Sequence, residues 1–188
     1  MAAVNPGIRE RFIKPFPIML FAVVMGMAGL VIAFEKATFL FGMPRLIHLI
    51  LLGLTSLLFA FIFTSYVGKV ASFPEEAQAE AHHPVKINFI STIPISFLLL
   101  SIAFFNDVNP FLAMAFWYLG APAQLLVVLW VMPRWIRHEV SIKHLNPSWF
   151  IPIVGTILVP VVGVDAAPLF VSIFFFSVGM FFWLVFFT

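Results

Sequence analysis

The sequence has no cysteine and very little charge. Of its 188 residues, 10% are Asp, Glu, Lys or Arg, and the formal net charge is +2. The absence of cysteine excludes disulfides, thiolate metal sites and cysteine nucleophiles. The sequence contains no basic run of the kind that indicates nucleic-acid binding. So few polar residues could not cover the surface of a soluble domain of this size, so that class is excluded.

Apolar residues are abundant instead. Hydrophobic residues make up 63% of the chain, and 25 of them are Phe. Runs of about 20 apolar residues, long enough to cross a lipid bilayer, recur along the sequence. They predict an all-α polytopic membrane protein with one transmembrane domain over residues 1–188. The predicted spans are 15–34, 45–65, 86–105, 110–132, 148–164 and 168–188.

Basic residues are unevenly distributed between these spans. Eight of the ten Lys and Arg lie in the N-terminal arm or in the longer loops 66–87 and 133–147. The other two, Lys36 and Arg45, lie between the first and second spans. Because basic loops stay on the cytoplasmic side, the pattern predicts a cytoplasmic N-terminus. The expected location is a bacterial inner membrane. The odd-numbered spans then run outward and the even-numbered spans return.

A weak repeat accompanies the outward spans. Each begins near a proline, at Pro15, Pro84 and Pro147. Proline suits the first turn of a helix, because its missing N–H would have no intrahelical partner there. A flexible or helix-breaking residue follows further along each of these spans. Three parallel copies of one helical hairpin fit this pattern, arranged around an axis along the membrane normal.

The outward spans also carry stripes of small and polar residues. Such stripes are most often helix–helix contacts, and a hydroxyl beside a proline often repairs the local kink. Their presence on all three outward spans favours a shared central pore, with the even helices outside as a wall. The candidate pore-lining residues are Gly26, Asn88, Ser91, Thr92, Pro94, Ser96, Pro152, Thr156 and Pro160, with Lys86 at the pore entrance.

Ionisable residues are missing from the middle of every predicted span. His48, about one turn into the second span, comes nearest. Proton-coupled carriers usually need a buried ionisable relay, so the pattern favours passive conduction by weak binding. It provides no catalytic residues, no metal ligands and no cofactor site. An intramembrane enzyme would need paired ionisable residues inside the bilayer.

The loop before the third span is unusually polar. Its "SFPE" sequence, Ser72 to Glu75, matches a capping box, which predicts a short helix over 73–82. Pro84 disfavours helix at the residue before it. Glu76, Glu80 and His83 would share one face, and a metal site there is conceivable. We expect a solvated connecting helix instead.

Several segments together resemble the tellurite-resistance/dicarboxylate transporter (TDT) family, which includes TehA-like proteins and the plant slow anion channels. The segment "FPEEAQAEAHHPVKINFISTIPIS" is similar to its signature before and within the third helix. "KPFPIMLFAVVMGMAGL", "FWYLGAPAQLLVVLWVMPRWI", "HLNPSWFIPIVGTILVPVVG" and "FFSVGMFFWLVF" resemble its first, fourth, fifth and sixth helices. Residues 74–96 and 144–163 are the most specific parts.

The resemblance implies ten helices in five hairpins around a pore, assembled as a homotrimer. It also implies transport of small anions such as malate, succinate, chloride or nitrate, with tellurite resistance as one phenotype. This chain covers six of the ten helices, so we expect it to be truncated. The gating phenylalanine of the family lies on the ninth helix and is expected beyond residue 188.

Two alternatives to an anion channel remain open. The first is a proton-coupled exporter of dicarboxylate, sulfite or tellurite. The second is a membrane scaffold subunit that packs as a helical bundle and transports nothing. Flux measurements with and without a pH gradient separate the first from a channel, and the absence of any anion current would favour the second.

Overall fold

The structure is a computed structural model that describes residues 12–105, 108–137 and 147–187. All regular secondary structure in these ranges is helical, which confirms the all-α prediction. The N-terminal arm before residue 12 and most of the 133–147 loop lie outside the described residues. The topology prediction for those segments therefore stays a prediction.

Six helices in the described ranges are long and apolar enough to cross a membrane. In chain order, these spans are Ile18–Phe41, Arg45–Ser72, Lys86–Phe105, Pro110–Arg134, Pro147–Ala166 and Leu169–Phe187. They lie at the six positions that hydropathy predicts. The first two spans continue about two turns beyond their predicted ends, because polar residues at a helix end do not stop the backbone from remaining helical.

The α-helices are numbered along the chain. They are α1 (Phe21–Phe41), α2 (Arg45–Ser72), α3 (Pro74–His82), α4 (Thr92–Phe105), α5 (Pro110–Arg137), α6 (Phe150–Ala166) and α7 (Leu169–Phe187). The short helix α3 connects the second span to the third. The others form the membrane-spanning parts.

The first, third and fifth spans share a 3-10 start. The first begins with 3-10 helix at Ile18–Leu20, the third at Lys86–Ser91 and the fifth at Pro147–Trp149. The second, fourth and sixth begin directly as α-helix, at Arg45, Pro110 and Leu169. This alternation agrees with a repeated hairpin unit.

Proline does not make the same distinction. Pro44 precedes α2, Pro110 opens α5 and Pro168 precedes α7, so the return spans also begin at a proline. Prolines at the span starts therefore do not distinguish the first, third and fifth spans from the others, and the repeat stays a prediction. Proline suits the start of any helix, because the first-turn N–H groups lack intrahelical partners in every case.

The predicted capping box is also wrong. Ser72 is the last residue of α2, and the residue that precedes α3 is Phe73, whose side chain forms no capping hydrogen bond. Because Ser72 itself is helical, it does not have the extended backbone that a capping serine needs. The helix α3 nevertheless covers Pro74–His82, close to the predicted 73–82.

The third span lies between the first and the fifth. The helix α4 packs against α1 on one side and against α5 and α6 on the other. Its Phe97 ring lies 4.9 Å from the ring of Phe59 on α2, centroid to centroid. On the other side, the Trp117 Nε1 of α5 donates a hydrogen bond to the Val159 carbonyl of α6, at 2.8 Å. The third span is the most enclosed of the six.

The exposed surface of the helix bundle is largely apolar. Large side chains such as Phe61, Phe111 and Phe170 are exposed on α2, α5 and α7. This exposed apolar surface is far larger than the apolar patches that soluble proteins expose to water. A lipid bilayer would cover it. The protein is therefore an integral membrane protein.

Candidate pore-lining site

Most candidate pore residues lie on the third span, in two kinds of helix. Lys86, Asn88 and Ser91 lie in the 3-10 segment, whereas Thr92, Pro94 and Ser96 lie in α4. Lys86 is half-buried, and the rest of these residues are buried. Pro94 lies in the first turn of α4 rather than in mid-helix, because the α-helical part of this span begins at Thr92.

Asn88 and Ser91 face the start of the fifth span. The Asn88 Nδ2 atom donates a hydrogen bond to the Ser148 Oγ atom at 3.1 Å, and both side chains are buried. Residues three apart eclipse each other in a 3-10 helix. Ser91 therefore lies on the same side of the third span as Asn88, one turn deeper.

Gln124 of α5 reaches the same part of the fifth span. Its Nε2 atom donates to the Pro152 carbonyl at 2.8 Å, and its side chain is fully buried. Gly155 makes room for it: a Cβ at Gly155 would lie 2.6 Å from the Gln124 Cδ atom. Any larger residue at 155 would therefore push Gln124 away from this carbonyl.

These contacts reach the fifth span at neighbouring turns, one from the third span and one from α5. Ser148 and Pro152 are four residues apart, about one helical turn. The step from Asn88 to Ser91 is also one turn, in the same outward direction. We call the set of Asn88, Ser91, Gln124, Ser148 and the Pro152 carbonyl the neutral seam, because none of its members is charged.

Three other candidate hydroxyls bind their own helices. The Ser96 hydroxyl donates to the Thr92 carbonyl at 2.7 Å. The Thr92 and Thr156 hydroxyls donate to the carbonyls of Phe89 and Ile153. This is the local backbone bonding that serine and threonine commonly form in membrane helices. Thr156 also packs against α7, where a Cβ at Gly179 would lie 2.8 Å from its hydroxyl oxygen.

Gly26 is not brought together with the other candidates. It lies on an exposed face of α1 with Ala22, Gly29 and Ala33, as the predicted stripe requires. No atom of the described residues would lie within 4 Å of a Cβ at Gly26 or Gly29. Pro160 of α6 is half-buried. The structure therefore places Asn88 and Pro152 in polar contacts near the start of the fifth span and leaves Gly26 on a separate exposed face.

A second polar group, near the C-terminal end of α2, is charged. The Lys69 Nζ atom lies 3.1 Å from a Glu80 carboxylate oxygen and donates to the Phe16 carbonyl at 2.8 Å. The Tyr66 hydroxyl donates to the other Glu80 oxygen at 3.4 Å. Lys69 is 3% exposed and Glu80 is 7% exposed. We call Tyr66, Lys69, Glu80 and the Phe16 carbonyl the charge cluster.

The charge cluster changes the interpretation of α3. Glu80 was expected on a solvated helix and Lys69 in a loop, but both are buried where α3 packs against α2. His83 is exposed and its Nδ1 atom accepts hydrogen bonds from the Val85 and Lys86 N–H groups, at 3.2 and 3.4 Å. Among the described residues, no group of three His, Asp or Glu side chains is placed to hold a metal ion.

Sequence reasoning had two signals for the residues that it missed. Gln124 is a lone amide inside an apolar span, and such residues are expensive in a membrane unless a partner satisfies them. Lys69 and Glu80 carry opposite charges near the two ends of one short connection. Their partners could not be predicted, because hydropathy does not show which helix faces lie together.

Comparison with known proteins gives the family. Residues 15–188 match the model of the SLAC1 family, described as voltage-dependent anion channel. An uncharacterized transporter of Methanocaldococcus jannaschii is 32% identical over 157 residues, which cover 82% of this chain and 46% of the relative.

Two further relatives have more informative names. A tellurite resistance protein TehA homolog of Haemophilus influenzae is 30% identical over 145 residues, which cover 76% of this chain and 44% of the relative. An S-type anion channel of Arabidopsis thaliana is 24% identical over 185 residues, which cover 94% of this chain and 36% of the relative. The chain spans less than half the length of these relatives. The match over nearly all of its residues, with the six spans described above, shows that the chain belongs to the SLAC1/TehA family of anion channels and transporters.

Proposed function

We propose that this chain forms part of an anion channel or facilitator for small organic or inorganic anions, including C4-dicarboxylates of the malate type. The observation that carries the proposal is the neutral character of the enclosed polar groups. Asn88, Ser91, Thr92, Ser96 and Thr156 are buried in the third and fifth spans and uncharged. Neutral dipoles bind an ion weakly enough to release it, as conduction requires.

The buried charged side chains are placed differently. Lys69 and Glu80 lie at the α2–α3 junction, and Glu35 lies in the last two turns of α1. None of these three lies in the third or fifth span. This distribution supports passive conduction, because a coupled carrier usually has ionisable residues on its substrate path.

Lys86 supports the choice of anions over cations. It is half-buried at the start of the third span, two residues before the neutral seam begins. A positive side chain at the mouth of a narrow path raises the local anion concentration without binding the anion inside. The exposed face of Gly26 and the groups at Thr92, Pro94, Ser96, Pro152, Thr156 and Pro160 are proposed to line the remaining path.

We further propose a cytoplasmic N-terminus, an inner-membrane location and a homotrimeric assembly. The excess of Lys and Arg in the N-terminal arm and longer loops supports the orientation. The family resemblance supports the trimer. Chemical cross-linking of the protein in native membranes tests the assembly, since a ladder ending at three subunits is expected.

Flux into liposomes tests the proposal. Purified protein is reconstituted and downhill entry of chloride, nitrate and malate is measured, with and without a pH gradient. Downhill flux that the pH gradient leaves unchanged is expected. Uphill accumulation driven by the gradient would contradict the channel, and no flux of any of these anions would favour a scaffold subunit.

One observation favours the runner-up, a proton-coupled exporter of dicarboxylate, sulfite or tellurite. His48 of α2 is buried, and its Nε2 atom has no hydrogen-bond partner among the described residues. Its Nδ1 atom lies 3.4 Å from the Val31 carbonyl. A His48→Gln variant that loses only pH-gradient-driven transport would support this alternative.

A further inference from the structure

The neutral seam has three polar atoms without partners in the described part of the chain. They are Asn88 Oδ1, Ser91 Oγ and Gln124 Oε1. All three side chains are fully buried. A buried polar atom that forms no hydrogen bond costs about 1–3 kcal/mol, so each of the three calls for a partner that satisfies it. The 3-10 segment that carries Asn88 and Ser91 packs against α5, which carries Gln124.

The chemistry of these atoms limits what that ligand can be. The Pro152 carbonyl can only accept, so the Gln124 group that faces it must be the Nε2 donor. Gln124 Oε1 is therefore an acceptor and requires a donor. A bare anion offers no donor, so this oxygen needs a different partner.

A metal cation is also disfavoured. The seam contains amides, hydroxyls and a carbonyl, with no carboxylate to offset the cost of burying a full charge. A water molecule meets both demands, since it donates to the amide oxygens and exchanges donor and acceptor roles with the Ser91 hydroxyl. Buried waters typically form about three hydrogen bonds to groups of this kind.

We propose that the neutral seam is a water-binding site, which holds at least one ordered water between Asn88, Ser91 and Gln124. The site lies where the third, fourth and fifth spans meet, at the junction between 3-10 and α-helix. It does not depend on the chain conducting anions. Its role is to satisfy side chains that the three helices leave unpaired as they pack.

Water-edited solid-state NMR of the protein in bilayers tests this site. Gln78 and Gln124 are the only two Gln of the sequence, so 15N-glutamine labelling gives two side-chain amide signals. Gln78 is exposed on α3 and serves as the hydrated reference. At short mixing times, transfer from water to both signals is expected. A Gln124 signal that is missing at short mixing times would overturn the proposal.

Variants at Ser91 locate the water. Ser91→Val removes a hydroxyl and fills the seam with methyl groups, so loss of the Gln124 signal at short mixing times is expected. Persistence of that signal would overturn the proposal, because the water would then reach Gln124 from elsewhere. If Ser91→Val does not fold, Ser91→Ala is used, and a slower Gln124 build-up is expected, with an unchanged build-up counting against the site.

The matched control is Ser101→Ala. Ser101 is a fully buried serine of the same span, and its hydroxyl donates to the Ala113 carbonyl at 2.7 Å. It lies three turns from Ser91 and outside the seam. This variant should leave the Gln124 signal unchanged, and an equal loss there would show that the Ser91 result reflects general loosening and would overturn the proposal.

Discussion

The charge cluster and the neutral seam are both buried polar groups, but they are satisfied in different ways. In the charge cluster, Lys69 has a carboxylate and a carbonyl, and both Glu80 oxygens have partners. In the neutral seam, Asn88, Ser91 and Gln124 each keep a polar atom that has no partner among the described residues. The protein itself supplies partners for the charged groups of the charge cluster. In the neutral seam, polar atoms are left without a partner among the described residues.

This difference separates a structural role from a ligand-binding one. A buried charge must be paired by the protein wherever it lies, since its desolvation cost is several kcal/mol. A neutral amide or hydroxyl costs less to bury without a hydrogen-bond partner in the protein, so it can remain available to bind a small molecule. The charge cluster therefore fastens α3 and the N-terminal segment to α2, whereas the seam is available for binding.

Removal of Lys69 should have the largest effect. Lys69→Ala leaves Glu80 buried without its cation, which should cost about 3–5 kcal/mol of stability. Denaturant titration in mixed micelles measures the loss.

The control for Lys69→Ala is Lys14→Ala. Lys14 and Glu76 form an exposed pair at 3.5 Å, and exposed pairs contribute only about 0–1 kcal/mol. A double variant, Lys69→Met with Glu80→Met, should recover most of the loss, because no charge is left buried. If Lys14→Ala were as costly as Lys69→Ala, the charge cluster would have no special role.

The seam should respond to a single methyl group at Gly155. In Gly155→Ala the new Cβ would lie 2.6 Å from Gln124 Cδ, so the amide must move and its bond to the Pro152 carbonyl is strained or lost. Such overpacking typically costs about 1–3 kcal/mol. The same micelle titration measures it.

Gly26→Ala is the matched control for Gly155→Ala. No atom lies within 4 Å of a Cβ at Gly26, so a change within about 0.5 kcal/mol is expected. In a Gln124→Ala background, Gly155→Ala should lose most of its effect. An undiminished cost there would mean that Gln124 is not what occupies the space.

Lys86 connects the two regions, because it follows α3 and precedes Asn88. Lys86→Ala should lower anion flux by up to about tenfold at low ionic strength, through the loss of local anion enrichment. The effect should shrink as salt is added, because screening shortens the range of the charge. Liposome flux at two salt concentrations measures it, and a salt-independent loss would argue for a packing role instead.

The smallest effect is expected at His83. His83→Ala removes the acceptor for the Val85 and Lys86 N–H groups, but water can replace it at this exposed position. A loss of at most about 1 kcal/mol is expected. His82→Ala is the control, since His82 bonds only within α3, to the Gln78 carbonyl. Neither variant should change anion flux, and a large loss of flux would restore the idea of a site at the two histidines.

Hydropathy was enough to locate all six spans. Each span is about as long as a bilayer is thick, so the mean hydropathy of a window of that length detects it. This measure needs no knowledge of the neighbouring helices. The stripe at Gly26 and Gly29 was also readable, because residues three apart share a helix face. Both residues are exposed on α1, and their role in a pore stays a prediction.

What the sequence could not show is which face meets which helix. Ser91 and Thr92 are adjacent hydroxyls in one span, yet Thr92 bonds to its own helix and Ser91 stays open. Ser91 ends the 3-10 segment and Thr92 begins α4, and hydropathy carries no information on helix type. Lys69 was predicted to lie in a loop for a related reason. In the structure α2 continues through Lys69, because the Glu80 carboxylate of α3 pairs with its charge.

The 3-10 segment also makes the third span longer than an α-helix of the same residues would be. Its six residues, Lys86–Ser91, rise about 2.0 Å each, against 1.5 Å in an α-helix. Rewinding them as α-helix would shorten the span by about 3 Å and rotate Lys86 by roughly 120° relative to α4. Lys69 and Glu80 hold α3 against α2. The shortening and rotation would therefore have to occur as a screw motion of α4 within the membrane.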